Sequence, residues 1–267
     1  SRTPSPMSVE HPSQIHTPSM AYHPKGHTTG AAEQRLAQPL RIAEIFQSRQ
    51  GEGFLTGTES VFIRVSGCNL RCRFCDTPYA SWEPEGPLLT VEEILRRVEN
   101  FPARHIVLTG GEPMMFPQVV PLTRHLSDRG YHVTVETAGT VYRPVQCHLM
   151  SISPKLSNST PDRELHPRWW KEHERRRHQP DVIRRLVREY PYQIKFVIDR
   201  PEDVEEAERF LAAIPEIDRD RVLLMPQGTD QEALGEKMTW LEPICQQHGF
   251  RLCPRKHIEW YGPGRGK

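Results

Sequence analysis

The stretch Gly67-Cys-Asn-Leu-Arg-Cys-Arg-Phe-Cys-Asp-Thr-Pro-Tyr-Ala-Ser81 contains three of the chain's six cysteines. Its C-x3-C-x2-C spacing brings the thiolates of Cys68, Cys72 and Cys75 to one point. Cysteine thiolates hold iron-sulfur clusters, and a cubane cluster has four irons, so three cysteines leave one iron without a protein ligand. An iron with an open position can bind a small molecule and activate it. The stretch therefore predicts a reactive iron-sulfur site.

Two other uses of the cysteines are open at this point. A structural zinc site normally has four ligands, and Cys147, Cys245 or Cys253 could supply the fourth. A disulfide framework is less favoured, because a chain of 267 residues can bury a core without cross-links and three cysteines crowd one loop. We expect Cys147, Cys245 and Cys253 to be ordinary buried or partly buried thiols.

The charges of the chain nearly cancel, with 35 Lys and Arg against 34 Asp and Glu. The formal net charge of +1 gives no global field that would favour nucleic acid or an anionic membrane. No apolar run approaches the ~18 residues of a membrane span, and the first residues lack the layout of a secretory signal. We therefore expect a cytoplasmic protein that acts on small molecules.

Residues 1–39 differ in composition from the rest. They contain six prolines, many Ser, Thr and His residues, and few large apolar side chains. Such a segment cannot bury enough apolar surface to offset the entropy lost on folding. We expect it to be disordered or loosely ordered, and we expect one core domain over residues 40–267.

From Leu40 onward, short apolar and β-branched runs alternate with helical stretches. The predicted strands are 41–46, 60–66, 105–109, 132–136, 148–153, 193–198, 221–225 and 250–253. The predicted helices are 91–98, 117–128, 181–188, 201–213 and 231–248. This alternation predicts an α/β fold with a largely parallel sheet, a partial (β/α) barrel whose site lies at the carboxyl ends of the strands.

Two segments have distinct local patterns. Thr90 and Glu93 are spaced for a capping box at the start of helix 91–98. Residues 161–179 contain Trp169, Trp170 and the run Glu174-Arg-Arg-Arg-His178, and are too charged and too weakly periodic for a core element. A basic run beside tryptophans can bind nucleic acid, but on a nearly neutral chain we favour a solvated helix or insertion without a catalytic role.

Three short motifs fall at the ends of predicted strands. Thr109-Gly-Gly-Glu-Pro113 follows one strand, and its paired glycines allow a ligand to approach the backbone closely. Gln50-Gly-Glu-Gly53 follows another strand, and Ser153-Pro-Lys155 ends a third. Taken singly, each is also typical of an ordinary turn.

The cysteine loop, with an aromatic residue before its last cysteine, resembles that of radical S-adenosylmethionine enzymes, where the methionyl amine and carboxylate of the cofactor chelate the fourth iron. Together with Gln50-Gly-Glu-Gly53, Arg64, Cys75-Asp-Thr77 and Ser153-Pro-Lys155, it resembles the 7-carboxy-7-deazaguanine synthase family, from about residue 41 to the C-terminus. The resemblance implies a [4Fe-4S] cluster, S-adenosylmethionine and Mg2+. It also implies a carbon-nitrogen lyase that converts 6-carboxy-5,6,7,8-tetrahydropterin to 7-carboxy-7-deazaguanine with loss of ammonia, on the route to queuosine.

The resemblance implies a role for each matching residue. The cluster would be ligated by Cys68, Cys72 and Cys75. The residues expected to contact S-adenosylmethionine are Phe74, Cys75, Asp76, Gly111, Ser153, Pro154, Lys155 and Gln227. Those expected to hold the pterin are Gln50, Gly51, Glu52, Arg64, Thr109 and His257. Thr77 would be a magnesium ligand, whereas without the resemblance it would only cap a turn before Pro78.

The family resemblance also implies partners. We expect a homodimer and a reductase such as flavodoxin or ferredoxin, and no nucleic acid or membrane partner. The alternatives are another radical S-adenosylmethionine enzyme, such as one that activates a glycyl-radical protein, or a non-enzymatic zinc or iron-sulfur module. An activating enzyme would share the cysteine loop but would not be expected to combine it with Gln50-Gly-Glu-Gly53, Arg64 and Cys75-Asp-Thr77.

Overall fold

Nine strands form one sheet in the computed structural model, which describes residues 37–267. In chain order the strands are β1 (Leu40–Arg49), β2 (Glu59–Val65), β3 (Leu88–Leu89), β4 (His105–Gly110), β5 (His132–Thr137), β6 (Leu149–Ile152), β7 (Tyr192–Ile198), β8 (Val222–Pro226) and β9 (Arg251–Leu252). The helices are α1 (Val91–Val98), α2 (Val119–Asp128), α3 (Pro167–Arg177), α4 (Pro180–Glu189), α5 (Pro201–Ala213), α6 (Gln231–His248) and α7 (Lys256–Tyr261). The expectation for the N-terminal segment falls almost wholly outside the described residues.

The strands follow the order β3-β1-β2-β4-β5-β6-β7-β8-β9. β1 runs antiparallel to both of its neighbours, and every pairing from β2 to β9 is parallel. Over residues 37–267 the sheet stays open, with β3 and β9 at its edges. The predicted partial (β/α) barrel is therefore confirmed, and the antiparallel strands β1 and β3 extend its parallel part at one edge.

Several helices begin and end at the residues that the sequence predicted. α1 begins with the predicted capping box, in which Thr90 Oγ1 accepts from the Glu93 amide at 3.2 Å and Glu93 accepts from the Thr90 amide at 2.7 Å. α5 and α6 have the predicted bounds. α3 lies inside the charged segment 161–179, and its contacts are described below. None of the helices in residues 37–267 is long and apolar enough to cross a membrane.

A continuous apolar core joins the strands to the helices. Ile63, Leu108, Ile194 and Leu224 lie on four parallel strands and are fully buried. Helix α1 turns an apolar face toward them, and burial of such side chains contributes roughly 1.5–3 kcal/mol each. Because this core fixes the strands relative to one another, it also fixes the loops that leave their carboxyl ends.

Strand register places polar residues side by side near one end of the sheet. Glu44 on β1 pairs with Arg64 on β2, which in turn pairs with Thr109 on β4. Further along the sheet, Ser151 on β6 lies between Glu136 on β5 and Gln193 on β7. Residues this far apart in the chain thus form one polar row, at the end of the barrel where such folds carry their sites.

Candidate active site

A cavity of about 610 Å³ opens at the carboxyl ends of the parallel strands. It is lined by every residue that the sequence predicted for the site except Pro154. Pro154 is buried and does not line the cavity, whereas its neighbours Ser153 and Lys155 do. The structure therefore brings the predicted cluster, cofactor, substrate and magnesium residues to one space.

The three cysteines lie on the loop that follows β2. The loop is closed at its base by a hydrogen bond from the Gly67 amide to the Ala80 carbonyl at 2.8 Å, and all three thiols line the cavity. Burial raises the pKa of Cys68 to about 11 and that of Cys72 to about 12, so iron itself would displace the protons on binding. Three sulfur ligands facing one cavity fit a cluster with one open iron.

Ligands of a cluster are spaced differently from ligands of a single ion. Among residues 37–267, no three His, Cys, Asp or Glu side chains are grouped to hold one metal ion. Each cysteine of a cubane ligates a different iron, so a cluster site does not require three ligands placed around one ion. Cys147, Cys245 and Cys253 are buried free thiols, as expected, and none of them lines the cavity. Cys253 lies just behind the lining, where its sulfur accepts from the Gly53 amide at 3.3 Å.

The Gly110-Gly111-Glu112 turn packs against the cluster loop itself. A Cβ on Gly111 would lie 2.0 Å from the Gly67 carbonyl oxygen and 2.4 Å from that of Ala80. The Glu112 amide donates to the same Gly67 carbonyl at 2.8 Å. The glycine that was expected to make room for a cofactor therefore also makes room for the backbone just before Cys68.

The Glu112 side chain also connects this turn to the next strand by hydrogen bonds. It is almost fully buried and accepts hydrogen bonds from Thr137 Oγ1 and the Ala138 amide, both at 2.7 Å, and from the Met114 amide at 3.0 Å. Burial raises the pKa of Glu112, although these donors oppose the shift. Glu112 thus ties the turn after β4 to the end of β5.

Glu52, on the hairpin between β1 and β2, is surrounded by cationic groups. Lys195 on β7 contacts one carboxylate oxygen, and Arg255 Nε donates to the other at 3.2 Å. His257 Nδ1 lies 4.0 Å away. Burial raises the pKa of Glu52, but these neighbours outweigh it and hold the pKa well below its ordinary value. Glu52 is therefore an ionised acceptor, and Lys195 and Arg255 are site residues that the sequence motifs missed.

A second carboxylate, Glu136 on β5, was also missed. It accepts from Thr109 Oγ1 at 2.7 Å and from Gln50 Nε2 at 3.3 Å, so two predicted pterin residues converge on it. The only signal in the sequence was its place near the end of a predicted strand. Gln50, Thr109 and Glu136 form a hydrogen-bonded unit that faces the cavity.

Arg64 is oriented by a carboxylate on the neighbouring strand. Its Nε donates to Glu44 at 2.7 Å, and the Tyr79 hydroxyl donates to the same oxygen at 2.7 Å. Arg265, near the C-terminus, lies with its guanidinium 3.8 Å over the Tyr79 ring. The last residues of the chain thus line the cavity on the Arg64 side.

The remaining predicted residues also line the cavity. Asp76 pairs with Arg255, and Lys155 Nζ donates to Ser153 Oγ at 3.0 Å. The Gln227 side chain accepts from Lys237 at 3.2 Å. Phe74 and Gly51 line the cavity as well.

Thr77 stands where a short 3-10 turn begins. The turn covers Pro78–Ala80, and the Thr77 side chain makes no capping hydrogen bond to it. Its hydroxyl lies 3.9 Å from Cys75 Sγ and lines the cavity. The simple capping role that the sequence alone would have favoured is therefore absent, and the hydroxyl faces the site.

Comparison with known proteins agrees with this geometry. The model of the radical SAM superfamily matches residues 62–154. The 7-carboxy-7-deazaguanine synthase of Rhodopirellula baltica is 49% identical over 228 residues, which cover 85% of this chain and 88% of that protein. The protein of the same name from Halobacterium salinarum is 42% identical over 229 residues, covering 82% and 89%.

A solved structure is similar along the same length. The crystal structure of QueE from Escherichia coli superposes with a TM-score of 0.62 at 25% identity, covering 85% of this chain and 99% of that one. Similarity of this extent in both sequence and fold leaves one assignment: the chain belongs to the 7-carboxy-7-deazaguanine synthase family of radical S-adenosylmethionine enzymes.

Proposed function

We propose that this chain converts 6-carboxy-5,6,7,8-tetrahydropterin to 7-carboxy-7-deazaguanine with loss of ammonia, a carbon-nitrogen lyase step of 7-deazapurine biosynthesis. The relatives that carry the family name support the reaction. The observation that carries the proposal is that the three-cysteine loop shares one cavity with a fixed set of carboxylate, amide and guanidinium groups. Those groups match the polar edges of a carboxylated pterin.

Cys68, Cys72 and Cys75 would hold three irons of a [4Fe-4S] cluster. When bound and reduced, this group supplies the electron that cleaves S-adenosylmethionine and starts radical chemistry. The chain's own part is to bind and orient the reactants and to exclude water. Residues proposed to hold the cofactor are Phe74, Asp76, Gly111, Ser153, Lys155 and Gln227, all of which line the cavity.

The hydrogen-bonded unit of Gln50, Thr109 and Glu136 would bind the pyrimidine edge of the pterin. That edge presents N–H donors, and a carboxylate has two oxygens to accept them. Since Thr109 and Gln50 already fix Glu136, little side-chain entropy is lost on binding. Glu52 would accept a further donor, because its cationic neighbours keep it ionised.

Arg64 would bind the substrate carboxylate. Its Nε is engaged by Glu44, so its terminal nitrogens would meet the carboxylate in a charge-assisted contact. His257 lines the same cavity beside Glu52 and completes the proposed substrate set. Its pKa is lowered by burial, which Glu52 opposes, and this favours the neutral ring.

We also propose that Thr77 ligates Mg2+. Magnesium keeps several waters and takes oxygens from its substrate, so one hydroxyl facing the cavity can suffice from the protein. The bound ion would orient the substrate next to the cofactor. The Thr77 hydroxyl makes no capping hydrogen bond, and Thr77 lines the cavity beside Cys75, which supports this assignment.

Family membership supports three further proposals: a flavodoxin or ferredoxin as electron donor, a homodimeric assembly and a cytoplasmic location. A cluster that must be reduced in order to act requires a reducing compartment and a carrier of low potential.

The reaction is tested by mass analysis of products after anaerobic reconstitution. Incubation with the carboxytetrahydropterin, S-adenosylmethionine, Mg2+ and dithionite should yield 7-carboxy-7-deazaguanine. Omission of the pterin, of S-adenosylmethionine or of dithionite should abolish product formation. Cys72→Ala should bind less iron and form no product, whereas Cys245→Ala, at a buried thiol that does not line the cavity, should bind iron and form product as wild type does. Cofactor cleavage without the deazaguanine product would contradict the proposed substrate.

A further inference from the structure

Helix α3, in the charged segment that was expected to be a solvated helix or insertion, packs directly on the cysteine loop. His173 on α3 is fully buried. Its Nδ1 accepts from the backbone amide of Arg71 at 3.0 Å, and its Nε2 lies 2.8 Å from Ser159 Oγ. Because an amide only donates, Nδ1 carries no proton, and the ring is the neutral Nε2–H form.

Two further residues of the cysteine loop are held by hydrogen bonds with helix α3 and with Ser159, the partner of His173. Ser159 also accepts, through its carbonyl, from the Arg73 amide at 2.9 Å. Arg176 on α3 donates to the Asn69 carbonyl at 3.2 Å. Three positions of the loop, 69, 71 and 73, are thus fixed from outside by contacts that do not involve the cysteines.

Arg71 carries a buried positive charge at this contact. Its guanidinium lies 3.9 Å over the Trp169 ring of α3 and donates to the carbonyls of Cys68 and Leu70, both at 2.7 Å. It interacts electrostatically with all three cysteine thiols. A charge this close to a cluster favours the form with the additional electron, since net charge and hydrogen bonding set the potentials of such clusters.

We propose that α3 acts as a clasp on the cluster loop: His173 holds the loop in its iron-binding shape, and Trp169 fixes the Arg71 guanidinium where it raises the cluster's reduction potential. His173 and Trp169 are positioning residues, because they act through Arg71. The proposal deepens the proposed function, since it rests on a cluster bound by Cys68, Cys72 and Cys75. It gives the segment 161–179 a role in cofactor retention and reduction.

The first test measures how fast a chelator strips iron from the reconstituted holoenzyme. His173→Leu keeps the volume but leaves the Arg71 amide unsatisfied in a buried place, and we expect iron loss to be about tenfold faster. His173→Asn retains an acceptor near the position of Nδ1 and should lie close to wild type. His125→Asn, on the exposed face of α2, is the matched control and should change nothing.

The second test measures the midpoint potential of the cluster by redox titration with electron paramagnetic resonance. Arg71→Met should shift the potential to more negative values, and Trp169→Leu should shift it in the same direction by less. The proposal is overturned if His173→Leu loses iron at the wild-type rate, or if the potential of Arg71→Met equals or exceeds that of wild type. If His173→Leu does not fold, the potentials of Arg71→Met and Trp169→Leu decide, and wild-type values in both overturn the proposal.

These outcomes are separable from the fate of the proposed function. If wild type binds the cluster but makes no deazaguanine, the substrate assignment fails while the iron-loss and potential measurements still test the clasp. If wild type makes product and the variants match it in iron loss and potential, the clasp alone fails.

Discussion

Gly111→Ala separates two roles for one glycine. The added Cβ would lie 2.0 Å from the Gly67 carbonyl oxygen, whereas real Cβ atoms stay at least 3.0 Å from such atoms, so the Gly67 carbonyl must recede by about 1 Å. Both clashing atoms belong to the backbone and cannot rotate away. Overpacking of this kind costs roughly 1–3 kcal/mol. Gly67 directly precedes Cys68, so the shift is passed to the first iron ligand.

The expected result is a less stable apoprotein and a much slower holoenzyme. At roughly 2–4 °C per kcal/mol for a chain of this size, the apoprotein Tm should fall by about 2–12 °C. A displacement of about 1 Å next to the chemistry can lower activity about 100-fold. The measurements are thermal unfolding without iron, iron content after reconstitution, and product formation.

The matched control is Gly235→Ala in helix α6. An added Cβ there meets nothing within 4 Å, and replacement of a helical glycine by alanine stabilises by up to about 1 kcal/mol. Gly111→Ala could instead melt at the wild-type temperature, bind iron normally and show only a higher KM for S-adenosylmethionine. Gly111 would then make room only for the cofactor, and its proposed role in packing against the Gly67 carbonyl would be wrong.

Other parts of the molecule give further tests. Burial, together with the neighbouring rings of His132 and His148, lowers the pKa of His105 from 6.5 to about 4. The unfolded chain therefore takes up the proton first as the pH falls, and the free energy of unfolding should drop by about 3 kcal/mol from pH 6.5 to pH 4, at 1.36 kcal/mol per pH unit. Urea unfolding across this range measures the drop, and His105→Gln should flatten it; an equal slope in both proteins would count against the assignment. Glu136→Gln keeps an acceptor for Thr109 but removes the charge, so the KM for the pterin should rise about tenfold or more with iron content unchanged; an unaltered KM would remove Glu136 from the substrate site. Thr77→Ala should weaken stimulation by Mg2+ while iron content stays at the wild-type level, and Thr77→Ser should restore it. Equal magnesium stimulation in all three proteins would show that Thr77 is not a ligand.

Much of the fold was predictable because its signals are local. The capping box at Thr90 and the alternation of apolar runs depend on neighbours in the chain, and they located α1 and the parallel strands. Helix α3 was not recognised as a packing element because its inward face carries Trp169 and His173 rather than aliphatic residues. A buried face made of polar contacts leaves no apolar stripe in the sequence.

The residues of the site also differ in how far their positions could be predicted from local sequence. Cysteines and glycine motifs stand close together in sequence, so their spacing already indicated a cluster and the turns around it. Lys195 and Arg255 meet Glu52 across 143 and 203 residues of sequence, and nothing local to either residue indicates the contact. Glu136 joins Gln50 and Thr109 only because the strands pair in one register. Such groups are located by topology rather than by motif.

Overall composition also concealed the electrostatics of the cavity. The chain carries a net charge of only +1, yet seven Lys and Arg side chains line the cavity against three Asp and Glu. A cavity with a surplus of cations favours the binding of anionic groups, which here are three thiolates and the carboxylates of the substrate and of S-adenosylmethionine. Glu52 does not contribute a free negative charge, because Lys195 and Arg255 are paired with it. Arg64 is likewise paired with Glu44, which leaves its terminal nitrogens to recognise a carboxylate by geometry rather than by unbalanced charge. Within residues 37–267, some cations remain without a carboxylate partner once these pairs form, such as Lys155 beside the cysteine loop. These cations therefore determine the electrostatic potential of the cavity in which the reactants bind.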